Sequence, residues 1–496
     1  MFFEILNKYG AIKDNRASYD EKVLKLYKKY NIPPIEIKLD YVDNILKEFL
    51  NSDKSLIITG SAGDGKTFIL RKLFEKLGGD EREFKSICKV DNVTFVLDFT
   101  AIEEKENLLL EAQNSKYIIA MNEGLLNEYV DKNKFLIKDL SKTSSANNFD
   151  LLLDKVLEYI DKYETKTDCI IFKNIELLKE VRNKIRDIIL MSDFNYEHIT
   201  IRRLFVFISN LILGSKNKNL LKNCNDVNFL DSNLYSNIFA ENLSASMREK
   251  KPFEFLNMLS IGYKSNDEVD KLILYSKDEK LKNIYFDIDE FFRKRDLFLD
   301  NGDFNLIKDY VVFFRRDLFF RHNYKSLMRY ISFDEFKTLF DDLKNNKTAS
   351  KRIKKLIALA LNRIFLGALI NEKDNLYIGS SFKGSNEKIA NEIIEKLDIK
   401  EINFEFIKGN DEYYGEIYLV IKNKKMLLDL DIFEFLVRIA NGSLVNSFSN
   451  EFLERVMIFK SHLIEENEEL ILFDIDENGK IELTEFELGD NYVRLQ

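Results

Sequence analysis

The sequence predicts an α/β protein: a parallel sheet with helices on its faces, then a helical region, then a carboxy-terminal α+β domain. Three observations carry this. Short apolar runs alternate with helix-length segments over residues 51–175, helical periodicity dominates over 176–370, and short alternating runs fill 371–496. A buried core needs material, and 45% apolar with 13% aromatic residues supplies it to a chain of 496. At about 150 residues per domain, that length accommodates several domains. Disordered, collagenous and low-complexity classes are excluded.

Residues 1–50 read as an N-terminal helical segment, in which YDEKVLKLYKKY and YVDNILKEFL space apolar residues three and four apart. SLIIT (55–59) is short, apolar and β-branched, so it reads as a strand. It leads through a glycine-bearing loop into KTFILRKLFEKLGG, a helical pattern stopped by glycines. Further strands are expected at VTFVLD (93–98), YIIAMN (117–122), KFLIKD (134–139) and CIIF (169–172). NIELLKEVRNKIRDIILM, TIRRLFVFISNLILG, FDEFKTLFDDL and KRIKKLIALALNRIF supply the helical region. Beyond 371, LYIGSSF, INFEFIKG, EIYLVIKN, ELILFDI and KIELTEFEL read as strands, and 385–397, 430–441 and 449–465 as helices.

Composition narrows the chemistry. A formal charge of −9 argues against a surface that is basic all over, so any nucleic-acid contact is regional. Three cysteines and three histidines lie too far apart for a CxxC pair or a short ligand cluster, which disfavours disulfide scaffolds and zinc fingers. The amino terminus shows no basic region before a long apolar stretch, and LFVFISNLILG and LIALALNRIFLGALI fall short of the roughly 20 residues of a bilayer span. A cytoplasmic protein without membrane contact is expected.

The strongest motif is Gly60, Ser61, Ala62, Gly63, Asp64, Gly65, Lys66 and Thr67, a full phosphate-loop pattern between a predicted strand and a predicted helix. Triphosphate oxygens need many donors at close range. Glycines let backbone N–H groups approach, and the helix that starts here aims its positive end at the anion. Lys66 would bridge the β- and γ-phosphates of ATP, and the Thr67 hydroxyl would bind Mg²⁺. The alternative is a tight glycine turn before an ordinary helix. With the strand–loop–helix context, the core reads as a P-loop NTPase of the AAA+/ASCE-like kind.

Hydrolysis also needs an acid for the magnesium shell and a base for the attacking water, at the end of a second apolar strand. YIIAMNEG ends in Asn122 and Glu123, about 60 residues past the loop, where an Asp-Glu pair usually sits in ATPases with an additional strand between. Glu123 is therefore the expected base. VTFVLD ends in Asp98, which is a second candidate catalytic acid and the candidate metal ligand beside Thr67. Either acid is alternatively a solvated strand end. Asn122 in place of an aspartate keeps slow turnover, or a nucleotide-binding scaffold, open as a reading.

Thr200 is placed to cap a helix whose first turn carries Arg202 and Arg203. Cations there oppose the helix dipole, so an anion nearby would account for them, and Arg202 is a candidate γ-phosphate sensor. Pairing with surface acids is the plain alternative. In FFRRDLFFRH, Arg315, Arg316 and Arg321 lie among core-type phenylalanines and are either paired or ligand-facing. KNNKTASKRIKKL carries the densest basic run, with Lys351, Arg352, Lys354 and Lys355 as candidate phosphate contacts for DNA or RNA, or else a solvated helix end. DIDENGKIELTE (474–485) fits a calcium-loop pattern, but its flanks alternate like strands and Asn478 with Gly479 favours a hairpin turn.

GSAGDGKT, AMNEG, HITIRRLFVFISNLILG, FFRRDLFFR, LNRIFLG and DIFEFLVRIANG together resemble the DptF family, the ATPase component of bacterial phosphorothioate-dependent restriction. The resemblance spreads over residues 55–445. It implies an ATP-hydrolysing subunit of an anti-phage complex, working with a HerA-like translocase and a third subunit against DNA that lacks the backbone sulfur mark. Oligomerisation is compatible with it. It assigns nucleotide contacts to Gly60, Gly65, Lys66 and Thr67, and hydrolysis support to Glu123 and Asp98. A P-loop kinase is the weaker alternative, since such chains are usually compact.

Overall fold

The computed structural model describes residues 1–10, 18–39, 41–214, 229–241, 243–367, 370–383, 389–464, 469–475, 481–489 and 492–495. They form two compact units, one of residues 1–193, 197–329 and 410–414, the other of 194–196, 330–409 and 415–496.

The first unit holds a five-stranded sheet made of β1 (Leu56–Thr59), β2 (Ile87–Val90), β3 (Val93–Val96), β4 (Lys116–Ala120) and β5 (Leu136–Asp139), in the order β2-β3-β4-β1-β5. β1 runs parallel to β4 and β5, and β3 runs parallel to β4. Only β2 is reversed, turning back on β3 as a hairpin. The helices that position the site are α1 (Phe2–Gly10), α2 (Lys66–Lys76), α3 (Ser145–Tyr163), α4 (Ile170–Phe194) and α5 (Ile201–Leu213).

The sheet is apolar on both faces because both are covered. On one face Ile57, Val96 and Ile119 pack with Leu109 and Ala112 of helix Lys105–Asn114 and with Leu126 of helix Glu123–Tyr129. On the other, Phe74 of α2 meets Phe95 edge-on at 5.3 Å. Continuous burial along β1 gives the unbroken apolar run that made it legible as a strand.

Two elements differ from the sequence-based expectation. CIIF belongs to α4 rather than to a strand: Ile171, Ile175, Leu178 and Ile185 recur at helical spacing and are all buried. A four-residue apolar run reads the same in either structure, and the longer period decides. Residues 385–397 do not form a helix where they are described. Ile389–Asp398 is a strand paired antiparallel on both sides, with Asn375–Lys383 and with Glu469–Ile475. Pairing on two edges outweighs the helix-favouring Glu, Lys and Leu of this segment. α1 falls within the expected N-terminal helical segment, whereas no sequence signal marks β2.

The second unit carries a three-stranded antiparallel sheet, Lys424–Leu427, Gly415–Ile421 and Asn403–Lys408 in that order, and a five-stranded sheet with Ile481–Gly489 near one edge. Helices Leu430–Ala440 and Asn450–Leu463 lie where periodicity puts them. Glu469–Ile475 and Ile481–Gly489 pair antiparallel from Glu469↔Glu487 to Ile475↔Ile481, the pattern of a hairpin rather than of a helix-flanked calcium loop. The turn itself, with Asn478 and Gly479, lies outside the described residues. No helix among the described residues is long and apolar enough to cross a membrane.

Candidate functional site

β1 ends at Thr59, and the chain turns through residues 60–65 into α2 at the carboxyl edge of the sheet, where ligands of open α/β sheets bind. Gly65 occupies the cap position of α2 at φ 84°, a left-handed conformation that glycine adopts without strain. Gly63, at φ +104°, lies against α5: a Cβ there would fall 3.0 Å from the Arg202 Cβ and 3.2 Å from the Thr200 Oγ1. The Arg202 backbone N–H donates to the Gly63 carbonyl at 3.2 Å. Thr200 caps α5 by accepting from the Arg203 N–H at 3.4 Å. Two helix N-termini thus meet at one loop.

A cavity of about 510 Å³ opens beside this junction. Its polar wall brings together Gly63, Gly65, Lys66 and Thr67 of the loop, Asp98 after β3, Asn122 after β4, and Arg202. Its apolar wall includes Tyr9, Ile35, Ile37, Phe68 and Phe205, with the Tyr9 and Phe205 rings stacked at 4.5 Å and 13°. The Lys66 ammonium donates to the carbonyls of Gly60 at 2.7 Å and Ser61 at 3.0 Å. Burial lowers its pKa below that of an ordinary lysine, against the raising effect of Asp64, Asp98 and Asp139 and with Arg202 adding to the decrease.

Several expected residues take different places. Asp64 is not on the cavity wall. Its carboxylate is buried, accepting from the Ser61 N–H at 2.6 Å and pairing with His198 Nε2 at 2.8 Å. It shapes the loop instead of meeting a ligand, because its oxygens are already committed. Gly60 and Ser61 also lie off the wall, and Ala62 lies on it.

The strand order and the cavity wall set the two candidate acids apart. β4, the strand followed by Asn122 and Glu123, is the direct neighbour of β1. The additional strand lies instead between β1 and β3, whose end carries Asp98. Glu123 opens the short helix Glu123–Tyr129, is exposed, and does not line the cavity. Asp98 does, with its Oδ1 accepting from the Thr100 N–H at 2.9 Å and the Thr100 hydroxyl at 2.5 Å. Asn122 stands at the cap of that helix without making the capping bond.

The candidate nucleic-acid residues belong to the second unit. Arg352 pairs with Glu335, Lys355 with Asp374 at 2.5 Å, and Lys354 reaches Asn403 Oδ1 at 3.4 Å, while Lys351 is exposed. Much of the run's charge is therefore answered within the chain. Arg315 pairs with Asp270, Arg316 with Glu241 and Arg321 with Asp317, so these three are structural cations.

Sequence reasoning missed the apolar wall and the buried partner of Asp64. Tyr9 and Phe205 stack although they lie far apart in the sequence, on α1 and α5, and no local pattern announces such a contact. His198 carried a faint signal, standing two residues before the cap of α5.

The first unit is thus a mixed α/β fold with a mostly parallel sheet and a phosphate-loop motif at its carboxyl edge. A stretch of 118 residues is 30% identical to the tRNA modification GTPase MnmE of Mesoplasma florum. That match takes in 22% of this chain and 26% of MnmE, about a quarter of that protein's length, and it is compatible with a phosphate-loop fold and with nucleotide binding. No family model matches the chain. No solved structure matches it.

Proposed function

We propose that the chain is a nucleoside triphosphatase that binds ATP with Mg²⁺, and that it serves as the ATPase subunit of a phosphorothioation-dependent DNA restriction complex beside a HerA-like translocase. The observation that supports the enzymatic part is the single cavity on which Lys66, Thr67, Asp98, Asn122 and Arg202 converge. The restriction role rests on the order of sequence motifs alone.

The residues fit a magnesium nucleotide by their chemistry. Thr67 offers a hydroxyl and Asp98 a carboxylate, the hard oxygen donors that suit Mg²⁺. When bound, the ion would offset charge on the phosphates. The main-chain N–H groups of the loop and the start of α2 would hold the phosphate oxygens. Lys66 would exchange its carbonyl partners for phosphate oxygens, a stronger, charge-assisted bond. Arg202 would face the terminal phosphate, and Asp98 with Asn122 would orient the attacking water.

ATP is favoured over GTP by the apolar wall. Both bases carry an amino group, but guanine adds an N1–H that also needs an acceptor, and burying that one further donor unpaired costs about 1–3 kcal/mol. Among the described lining residues Asp98 is the one carboxylate, and it stands at the polar wall. GTP is the second reading, supported by the partial likeness to a GTPase. Titration with Mg-ATP and Mg-GTP decides between them: tighter ATP binding by about tenfold is expected, and equal or tighter GTP binding would favour the second reading.

Phosphate release from wild type and Lys66→Ala, with unmodified and sulfur-marked DNA and the translocase partner, tests the rest. Release stimulated by unmodified DNA and lost in the variant is expected. Release indifferent to DNA and partner would remove the restriction role, and transfer to a small acceptor would point to a kinase.

A further inference from the structure

A carboxylate buried inside a phosphate-binding loop works against the loop's purpose, since it adds negative charge where an anion must sit. Asp64 is such a group, and its surroundings explain how it is tolerated. One oxygen holds the loop itself, accepting the Ser61 N–H at 2.6 Å. The other meets His198 Nε2 at 2.8 Å, and both side chains are nearly or fully buried, 1% exposed for Asp64 and 11% for His198. His198 is in turn fixed by its neighbours: the next residue, Ile199, donates its N–H to the Ser145 Oγ at 2.9 Å. Ser145 heads α3, where Asp193 accepts from the Ser145 N–H at 3.0 Å and the Ala146 N–H at 3.0 Å. The loop is thereby tied through His198 to the starts of α3 and α5.

We propose that Asp64 and His198 are a positioning pair that holds the phosphate loop in its nucleotide-accepting form, and that the charge carried by His198 makes nucleotide affinity depend on pH. The inference rests on the reading of this cavity as a nucleotide site. With His198 protonated, the pair is neutral overall and the approaching triphosphate meets no net charge from it. With His198 neutral, Asp64 opposes the triphosphate.

Charged groups surround the pair from several elements, Asp411 among them, which accepts the Ser144 N–H at 2.8 Å while the Ser144 hydroxyl donates to Asp193. Asp193 lies near His198 from α4, Lys66 lies near Asp64 from α2, and the buried phenol of Tyr41 also feels Asp64. Burial is the largest influence on His198 and lowers its pKa, but the bond and charge of Asp64 with the charge of Asp193 and the Thr143 backbone outweigh it, so the pKa is raised. Nucleotide affinity is therefore greatest below that raised value and falls as pH rises through it.

The test is the dissociation constant of Mg-ATP for wild type, His198→Gln and Asp64→Asn, measured by calorimetry from about pH 6 to about pH 9. His198→Gln keeps an amide donor toward Asp64 but cannot take up a proton. Its affinity is expected to be about tenfold below wild type at the acid end, the equivalent of one pKa unit, with the two curves converging at the alkaline end. A ratio that stays constant across pH for both variants overturns the inference. Should both variants fail to fold, the side-chain titration of ¹³C-histidine-labelled wild type gives the answer: the His198 midpoint is expected to rise when Mg-ATP is added, and an unmoved midpoint overturns the proposal. Wild type that binds no Mg-ATP at any pH removes the nucleotide reading itself, whereas binding with pH-independent ratios removes only the pair's role.

Discussion

Lys66 donates to the carbonyls of Gly60 and Ser61, partners that a phosphate oxygen would outcompete by its charge. Replacing it by alanine is expected to weaken Mg-ATP binding by about tenfold to a hundredfold, the value of a charged hydrogen bond of roughly 1.5–3 kcal/mol, as read by fluorescent-nucleotide titration. Asp98 and Glu123 separate cleanly at this scale. Asp98 lines the cavity and Glu123 does not, so single-turnover phosphate release should fall by about a hundredfold in Asp98→Asn and hold within about twofold in Glu123→Gln. The reverse order would restore Glu123 as the base. At Gly63 the backbone is left-handed and α5 is close, so Gly63→Ala should cost about 1–3 kcal/mol in urea unfolding.

α5 owes its start to Thr200 and its place to the loop. Loss of that cap in Thr200→Ala should remove about 1 kcal/mol of stability, measured by chemical denaturation, and should loosen nucleotide binding because Thr200 also touches the Gly63 position. Elements of this kind were the most legible. β1, the loop and α2 were evident because a β-branched run, three glycines and a helical period fall in sequence within about 20 residues. The acid end of β3 was visible too, yet its rank could not be read: which strand neighbours β1 is a fact of sheet order, and the chain passes β3 before β4 without any local mark of their exchange. CIIF and 385–397 failed for a related reason. Short apolar runs and Glu/Lys-rich segments carry weak intrinsic preference, and burial at helical spacing in one case and pairing on both edges in the other decided the outcome.

Across the whole molecule, the first unit carries the cavity and the second carries the basic run, each with its own fold. Nucleic-acid binding through Lys351, Arg352, Lys354 and Lys355 would change the logarithmic salt slope by about −0.9 for each phosphate neutralised. Because Arg352 and Lys355 are held by Glu335 and Asp374, replacing all four by glutamine is expected to alter that slope by no more than about one or two contacts. Filter binding over a salt series reads this directly, and a change of about four would mean the ion pairs open for DNA. The close approach of α5 to the loop has a further use. Since the Arg202 amide hydrogen is engaged by Gly63, deuterium enters there only when helix and loop part, and the labelling time of that one site becomes a clock for how often α5 and the loop come apart.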